Sequence, residues 1–280
     1  MNDVDSPNKK NTVWNGENLP NSNEINNNLK KIFDTSYISK KDFESALVDI
    51  WYDNLSTSQL EKLLLEIDDT IPRDLYKLQS ESADSYNWKK LLAMRGEWLS
   101  DLEALCLRNY TWSEFRDYNW YLRAISSIFT KKTTKELLAI KIQTDILKRG
   151  MDKLAKVSSS DIKTLQKNNW YKESWLLFRG LSFNSNNELQ TFLSWFKKNE
   201  TWSDNWFLST TINPNLNFAK VHPFKCTFVV RNENPWWVYI NDFSMVCDEA
   251  EVLFPPWHKF KVFSEPKEVK PWERVIEIWA

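Results

Sequence analysis

The chain has 280 residues and is close to electroneutral, 37 Lys and Arg against 38 Asp and Glu, so a broad nucleic-acid footprint is not expected. Its four glycines form neither GxGxxG nor GxxxxGK[ST], which excludes the glycine-rich loops that cradle phosphates. Cys106, Cys226 and Cys247 lie far apart with no CxxC, and His222 and His258 are the only histidines, so neither a disulfide framework nor a metal centre is expected.

Residues 1–34 are dense in Asn, Ser, Pro and Lys and bury too little apolar surface to offset ordering entropy; they read as a flexible leader. No apolar h-region or run of membrane-spanning length occurs, so the expectation is a soluble chain made in a reducing compartment. Residues 35–84 read as a helical extension. In "SKKDFESALVDIWYDNL", Ser39 is a plausible N-cap, and Phe43, Leu47, Ile50 and Trp51 share one face. "STSQLEKLLLEID" repeats the pattern, and "IPRD" is expected to close it. "WKKLLAMRGEWLSDLEALCLRN" and "TWSEFRDYNWYLRAISSIF", the second with Thr111 as N-cap, are amphipathic, as is the stretch from about Thr134 to Val157. These aromatic and Leu stripes read as core.

After Lys167 the pattern becomes short β-branched or aromatic runs bounded by Asn, Pro, Ser or Lys: "ESWLLFRGL", "NWFLSTTI", "KCTFVVRN", "PWWVYIN", "CDEAEVLF", "KFKVFS" and "ERVIEIWA". "NNELQTFLSWFKKN" interrupts them as a helix, and another short helix is expected near Phe218. Helices first and strands afterwards indicate an α+β fold: an N-terminal helical lobe followed by a mixed, mostly antiparallel two-sheet β core.

Chemistry is concentrated in three strand-end segments. In "CDEAEVLF", strand alternation predicts that Glu249 and Glu251 share a face, about 7 Å apart, where two carboxylates can grip one cation or divide two roles. "WLLFRGL" ends in Arg179, whose planar fork of donors suits phosphate or carboxylate, beside Gly180, which allows close approach to the backbone. "WFLSTT" ends in Ser209, Thr210 and Thr211, hydroxyls able to orient a neighbouring carboxylate. Taken singly, each is also an ordinary strand-end charge or hydroxyl.

The order Arg, then Ser-Thr-Thr, then Glu-x-Glu resembles the arginine-directed mono-ADP-ribosyltransferases, a family with bacterial toxins and effectors, phage enzymes and animal ecto-enzymes. "LFRGL" is similar to the family's first-strand Arg, "FLSTT" to its Ser-Thr-Ser strand with Thr211 as a departure, and "EAEVLFPPWHKFKV" to its Glu-x-Glu strand and hairpin. "TINPNLNFA" is similar to the segment that follows, where Phe218 opens a short helix. "LRNYTWSEFRDYNWYLR" is similar to the helical lobe, with Tyr110, Thr111, Phe115, Asn119, Leu122 and Arg123 in the usual positions. The resemblance covers about 85–280, helical lobe 85–167 and β core 168–280.

What the resemblance implies is transfer of ADP-ribose from NAD, as co-substrate and without a metal, to arginine of a target protein. Arg179, Ser209, Glu249 and Glu251 would be catalytic. Arg179, Gly180, Ser209, Thr210, Phe218 and Glu251 would bind NAD. Glu251 would hold the ribose 2′-hydroxyl and stabilise the charge that develops at the sugar, Glu249 would align the acceptor guanidinium, and Ser209 would hold Glu251. Phe218 would stack near the nicotinamide. The loop "NDFSMVCD" would carry acceptor recognition, with Phe243 against the target. Without a signal peptide, the expected setting is an effector or toxin acting in the cytoplasm of a host or competitor cell. An NAD glycohydrolase, a guanine or DNA acceptor, and a non-catalytic interaction module that uses the many Trp are the competing readings; the four polar residues, all present, oppose the last.

Overall fold

The computed structural model describes residues 37–50, 52–84, 89, 92–93, 98–216, 223–231, 237–244 and 250–280. Its first half is helical, and the helix starts are set by side-chain caps. Ser39 accepts from the Asp42 N–H ahead of α1 (Lys40–Asp49), which buries Phe43 and Leu47. Ser56 and Gln59 form a reciprocal capping box at α2 (Thr57–Ile67), and its Leu60, Leu63, Leu64 and Ile67 are buried.

The "IPRD" segment does the opposite of closing the pattern. It opens α3 (Ile71–Asp84), because a proline in the first helical turn gives up an N–H that would have no partner there. Asp68 Oδ1 accepts from both the N–H and the hydroxyl of Thr70 at that entry.

Ser100 and Glu103 cap α4 (Asp101–Asn109). Thr111 does not start a new helix: the chain passes through a π-helical turn, Tyr110–Glu114, directly into α5 (Phe115–Leu122). The Thr111 hydroxyl donates backwards to the Arg108 carbonyl at 2.8 Å instead of capping forwards. Two more helices follow, α6 (Ser126–Lys131) and the twenty-residue α7 (Thr134–Lys153), the second with a Thr133/Glu136 capping box.

α7 is the axis of the lobe. It crosses α4 so closely that a Cβ on Gly150 would stand 3.3 Å from the Cβ of Glu103. Glu103 is fully buried, and Lys153 reaches one of its oxygens at 2.6 Å from the half-exposed end of α7. Lys153→Met removes that cation and leaves the carboxylate only its contact with the Ser100 N–H. The expected cost is about 2 kcal/mol, below the range for a fully buried pair because water reaches the Lys153 side; thermal melts measure it.

α8 (Ser159–Asn168) leads into the β core. The strands are β1 (Leu176–Phe183), β2 (Thr201–Ser203), β3 (Leu208–Thr211), β4 (Phe224–Arg231), β5 (Val238–Tyr239), β6 (Glu251–Phe254), β7 (Lys259–Val262), β8 (Lys267–Lys270) and β9 (Glu273–Trp279), with α9 (Asn186–Leu193) between β1 and β2. They pair in the order β2-β7-β9-β4-β1-β3-β6-β5, and β8 adds to β9. β4 with β9 is parallel, and the other pairings among the described residues are antiparallel. The sheet falls into two parts because β1 and β3 share one rung, Phe178 with Thr211. β2 and β8 had no periodic signal: one has three residues, and the other is exposed on both faces.

Two hydrophobic cores result. One unites α1–α7 with Phe207, Val238, Ile240, Phe243 and Leu253 from the sheet side. Residues 43–78 therefore pack into the same core as 102–154. The second core lies between the sheet, α8 and α9.

Candidate active site

Strand pairing brings the predicted polar residues together. Across β3 and β6, Ser209 pairs with Leu253 and Thr211 with Glu251, so all four point to one face. That face meets the helical lobe, where Leu253 joins its core. Ser209 and Glu251 are diagonal neighbours on it, and Thr211 is the residue directly across from Glu251. Thr210 is on the opposite face, fully buried, its hydroxyl donating to the Val252 carbonyl at 2.9 Å.

The opening between the two parts of the sheet is the cleft. Continued two residues beyond Phe178–Thr211, the register would join Gly180 to Ser209, and that rung is not formed. Both residues instead line a cavity of about 470 Å³, with Arg179, Leu181 and Ser182 on the β1 wall and Glu251 beneath. The facing wall is the π-helical turn with the start of α5: Tyr110, Thr111, Trp112 and Phe115. A π-turn carries one extra residue, which re-aims the side chains around it. Here Tyr110 points down, 2% exposed, while Trp112 is 61% exposed at the rim.

Tyr110 links lobe and core below the cleft. Its hydroxyl donates to the Phe207 carbonyl at 3.3 Å and accepts from Asn119 Nδ2 at 3.5 Å; Asn119 Oδ1 in turn accepts the Phe207 N–H at 3.0 Å. Burial, and then the charge of Glu251, push the Tyr110 phenol above its ordinary range, so it stays a neutral donor. Arg123, at the end of the same helix, stacks on Trp206 and pairs with Asp204 at 3.4 Å. Burial pulls its pKa down to about 10 and the nearby Arg179 cation pulls the same way, against the opposing pull of Asp204. Burial likewise raises Asp204, so desolvation outweighs this ion pair on both sides. The cleft thus has one guanidinium, Arg179, and one buried carboxylate, Glu251, while Arg123 is held outside its lining by Trp206 and Asp204. Such a donor set fits a ligand that joins a diphosphate to a sugar.

A family model described as ADP-ribosyltransferase exoenzyme matches residues 80–276. The chain belongs to the ADP-ribosyltransferase exoenzyme family. No curated protein matches it. Among solved structures, the ADP-ribosyltransferase Vis in complex with agmatine is 18% identical, with 81% of this chain and 86% of that one covered at a TM-score of 0.50; Vis is a toxin from Vibrio splendidus. Exoenzyme S from Pseudomonas aeruginosa is 16% identical over 68% of this chain and 79% of that one, TM-score 0.46. An ADP-ribosyltransferase from Clostridium botulinum is 16% identical over 69% of this chain and 94% of that one, TM-score 0.44. At 18% identity, what this chain shares with Vis is the fold.

Members of this family use NAD as co-substrate. In this ADP-ribosyltransferase, Arg179, Gly180, Ser209 and Glu251 line one cleft, and Thr210 lies on the opposite face of β3. Glu249 and Phe218 lie outside the described residues, as do 245–248 of the expected recognition loop. The alternation argument does not extend through Ala250: its φ is 45°, outside extended backbone, and β6 begins only at Glu251. Phe243 is not a target contact. It is 5% exposed in the helical core, with its carbonyl accepting from Thr111 Oγ1. The lobe-side residues Tyr110 and Arg123 were named from the sequence only as matches to the family's helical lobe, without a role, and Trp112 only as one more aromatic in a helical pattern.

Proposed function

We propose that this ADP-ribosyltransferase moves ADP-ribose from NAD to an arginine of a target protein with release of nicotinamide, as an effector or toxin acting inside another cell. The observation that carries the reading is the convergence of Arg179, Ser209 and Glu251, from three different strands, on one cleft. The Glu249-x-Glu251 spacing supports arginine, because a carboxylate matches the two parallel donors of a guanidinium.

Bound NAD supplies an activated ribosyl carbon with nicotinamide as its leaving group. Arg179 holds a phosphate from the β1 wall of the cleft. Glu251 accepts a hydrogen bond from the ribose 2′-hydroxyl and sets its charge against the positive charge that grows on the sugar. Ser209 keeps Glu251 in place. Glu249 orients the acceptor guanidinium and takes its proton as the nitrogen attacks.

Agmatine, a free guanidinium, is the acceptor for the test. The wild-type chain with labelled NAD is expected to label agmatine, and Glu249→Gln to lower that transfer by about 10–100-fold while nicotinamide release persists. Nicotinamide release with no labelled agmatine or protein would replace arginine transfer by NAD hydrolysis. Labelled bands from a lysate, absent with Glu251→Ala, identify the target by mass spectrometry.

A further inference from the structure

A second cavity, of about 420 Å³, is formed by the π-helical turn, the junction of α2 with α3, and parts of α4 and α7. Trp112 lines both this cavity and the catalytic cleft, so the two are neighbours across one indole. Gln143 of α7 is part of the new wall and is 7% exposed. Its Oε1 accepts the Tyr118 hydroxyl at 2.7 Å. Burial holds the Tyr118 phenol well above its ordinary range, so Tyr118 is the donor and the orientation of the amide is fixed. Among the described residues Gln143 Nε2 then has no acceptor.

A buried donor with no acceptor is destabilising, and this one borders open space rather than packed side chains. Two more groups in the same wall have capacity to spare. Asn109, the last residue of α4, makes no side-chain cap for the turn that follows it. Asp68 accepts the N–H and hydroxyl of Thr70 through Oδ1, which leaves Oδ2 as an acceptor among the described residues. The charges in the wall nearly cancel, Asp68, Asp74 and Glu114 against Lys77 and Arg108, with Lys77 on Asp74 at 3.9 Å. An ion is therefore not what the cavity selects. Beside a tryptophan it offers amide donors and one carboxylate oxygen. These complement a peptide main chain, which carries a carbonyl and an N–H at each ordinary residue.

We propose that this cavity receives the main chain of the target protein beside its acceptor residue. The target chain crosses Trp112 from the catalytic cleft, its carbonyls accept from Gln143 Nε2 and Asn109 Nδ2, and an N–H donates to Asp68 Oδ2. The volume is within the roughly 300–1,000 Å³ of ligand pockets and admits a short stretch of polypeptide. A protein acceptor has a reason to lie here: whatever presents a side chain to the cleft must also cross its rim, and Trp112 stands on that rim. The inference rests on the transferase reading, which makes the acceptor a polypeptide.

The test is fluorescence anisotropy of the full chain with a labelled nine-residue peptide, one central arginine among Ala and Ser residues. The wild type is expected to bind it, and Gln143→Glu and Asn109→Ala to weaken binding at least about fivefold each. Gln143→Glu keeps the acceptor for Tyr118. Asn109→Ala removes no side-chain cap, so it carries the test should Gln143→Glu fail to fold. Nicotinamide release, and transfer to agmatine, which has no main chain, are expected to be unchanged in both variants, while the KM for the peptide rises and its kcat is retained. No binding of the peptide by the wild type, or equal binding by the variants, overturns the proposal; labelling of agmatine would then still support arginine transfer. Peptide binding that the variants weaken, with neither peptide nor agmatine labelled, keeps the subsite and removes arginine as the acceptor.

Discussion

Glu251→Gln is expected to slow nicotinamide release by about 10²–10⁴ and to leave the melting temperature unchanged or slightly raised. The two parts of this result have one cause. Glu251 is 4% exposed, so keeping its carboxylate charged costs desolvation in the folded state. Glutamine has the same shape and retains a carbonyl acceptor, but it removes that cost together with the negative charge the sugar requires. A residue that only braced β6 would behave oppositely, losing stability with little loss of rate. Steady-state nicotinamide release and a thermal melt of the same preparation separate the two. A rate within a few-fold of wild type would remove Glu251 from the chemistry, and a rate that fell only with stability would make it structural.

That residue was legible because its signal is local. Glu251 opens the apolar β6, Ser209 lies in the four-residue β3 and Arg179 in the middle of β1, and cross-strand pairing then requires Ser209 and Glu251 to share a face. The helices were legible where an apolar stripe coincides with a Ser or Thr cap, as in α1, α2 and α7. What was not legible depends on distant partners or on unannounced backbone. Nothing in "NYTWSE" signals a π-turn, yet that turn decides whether Tyr110 or Trp112 faces inward. Ala250 takes a positive φ usually left to Gly or Asn, so alternation could not be carried across Glu249 and Glu251. Trp170, Trp175, Trp257 and Trp272 do the same at loop positions, in a chain with four glycines. Composition had already removed the usual turn marker, so boundaries around β1, β7 and β9 could not be read from it.

Gln166 is the strongest case of a residue with no sequence signal and a large structural role. It is fully buried in the last turn of α8. Its Nε2 faces three oxygens, Ser174 Oγ and the carbonyls of Leu176 and Ile212, each at 3.1 Å, while its Oε1 accepts the N–H groups of Ser174 and Trp175 at 2.9 and 3.2 Å. One amide therefore ties α8 to the start of β1 and to the end of β3, three residues before Arg179 and three after Ser209. Gln166→Leu keeps the volume and strands several buried backbone groups at once, at an expected cost of about 3 kcal/mol and roughly a 6–12 °C fall in melting temperature. Gln166→Glu supplies a pH-dependent comparison. Burial raises the folded pKa of the new carboxyl above its unfolded value of about 4.3, and only the protonated form can donate to the carbonyls. Its stability is therefore highest below the unfolded pKa and lost as pH rises through the folded one, a dependence that Gln166→Leu lacks. Melts of both variants at acid and neutral pH test this: parallel curves would mean that the hydrogen bonds of Gln166 do not hold β1 and β3 in register.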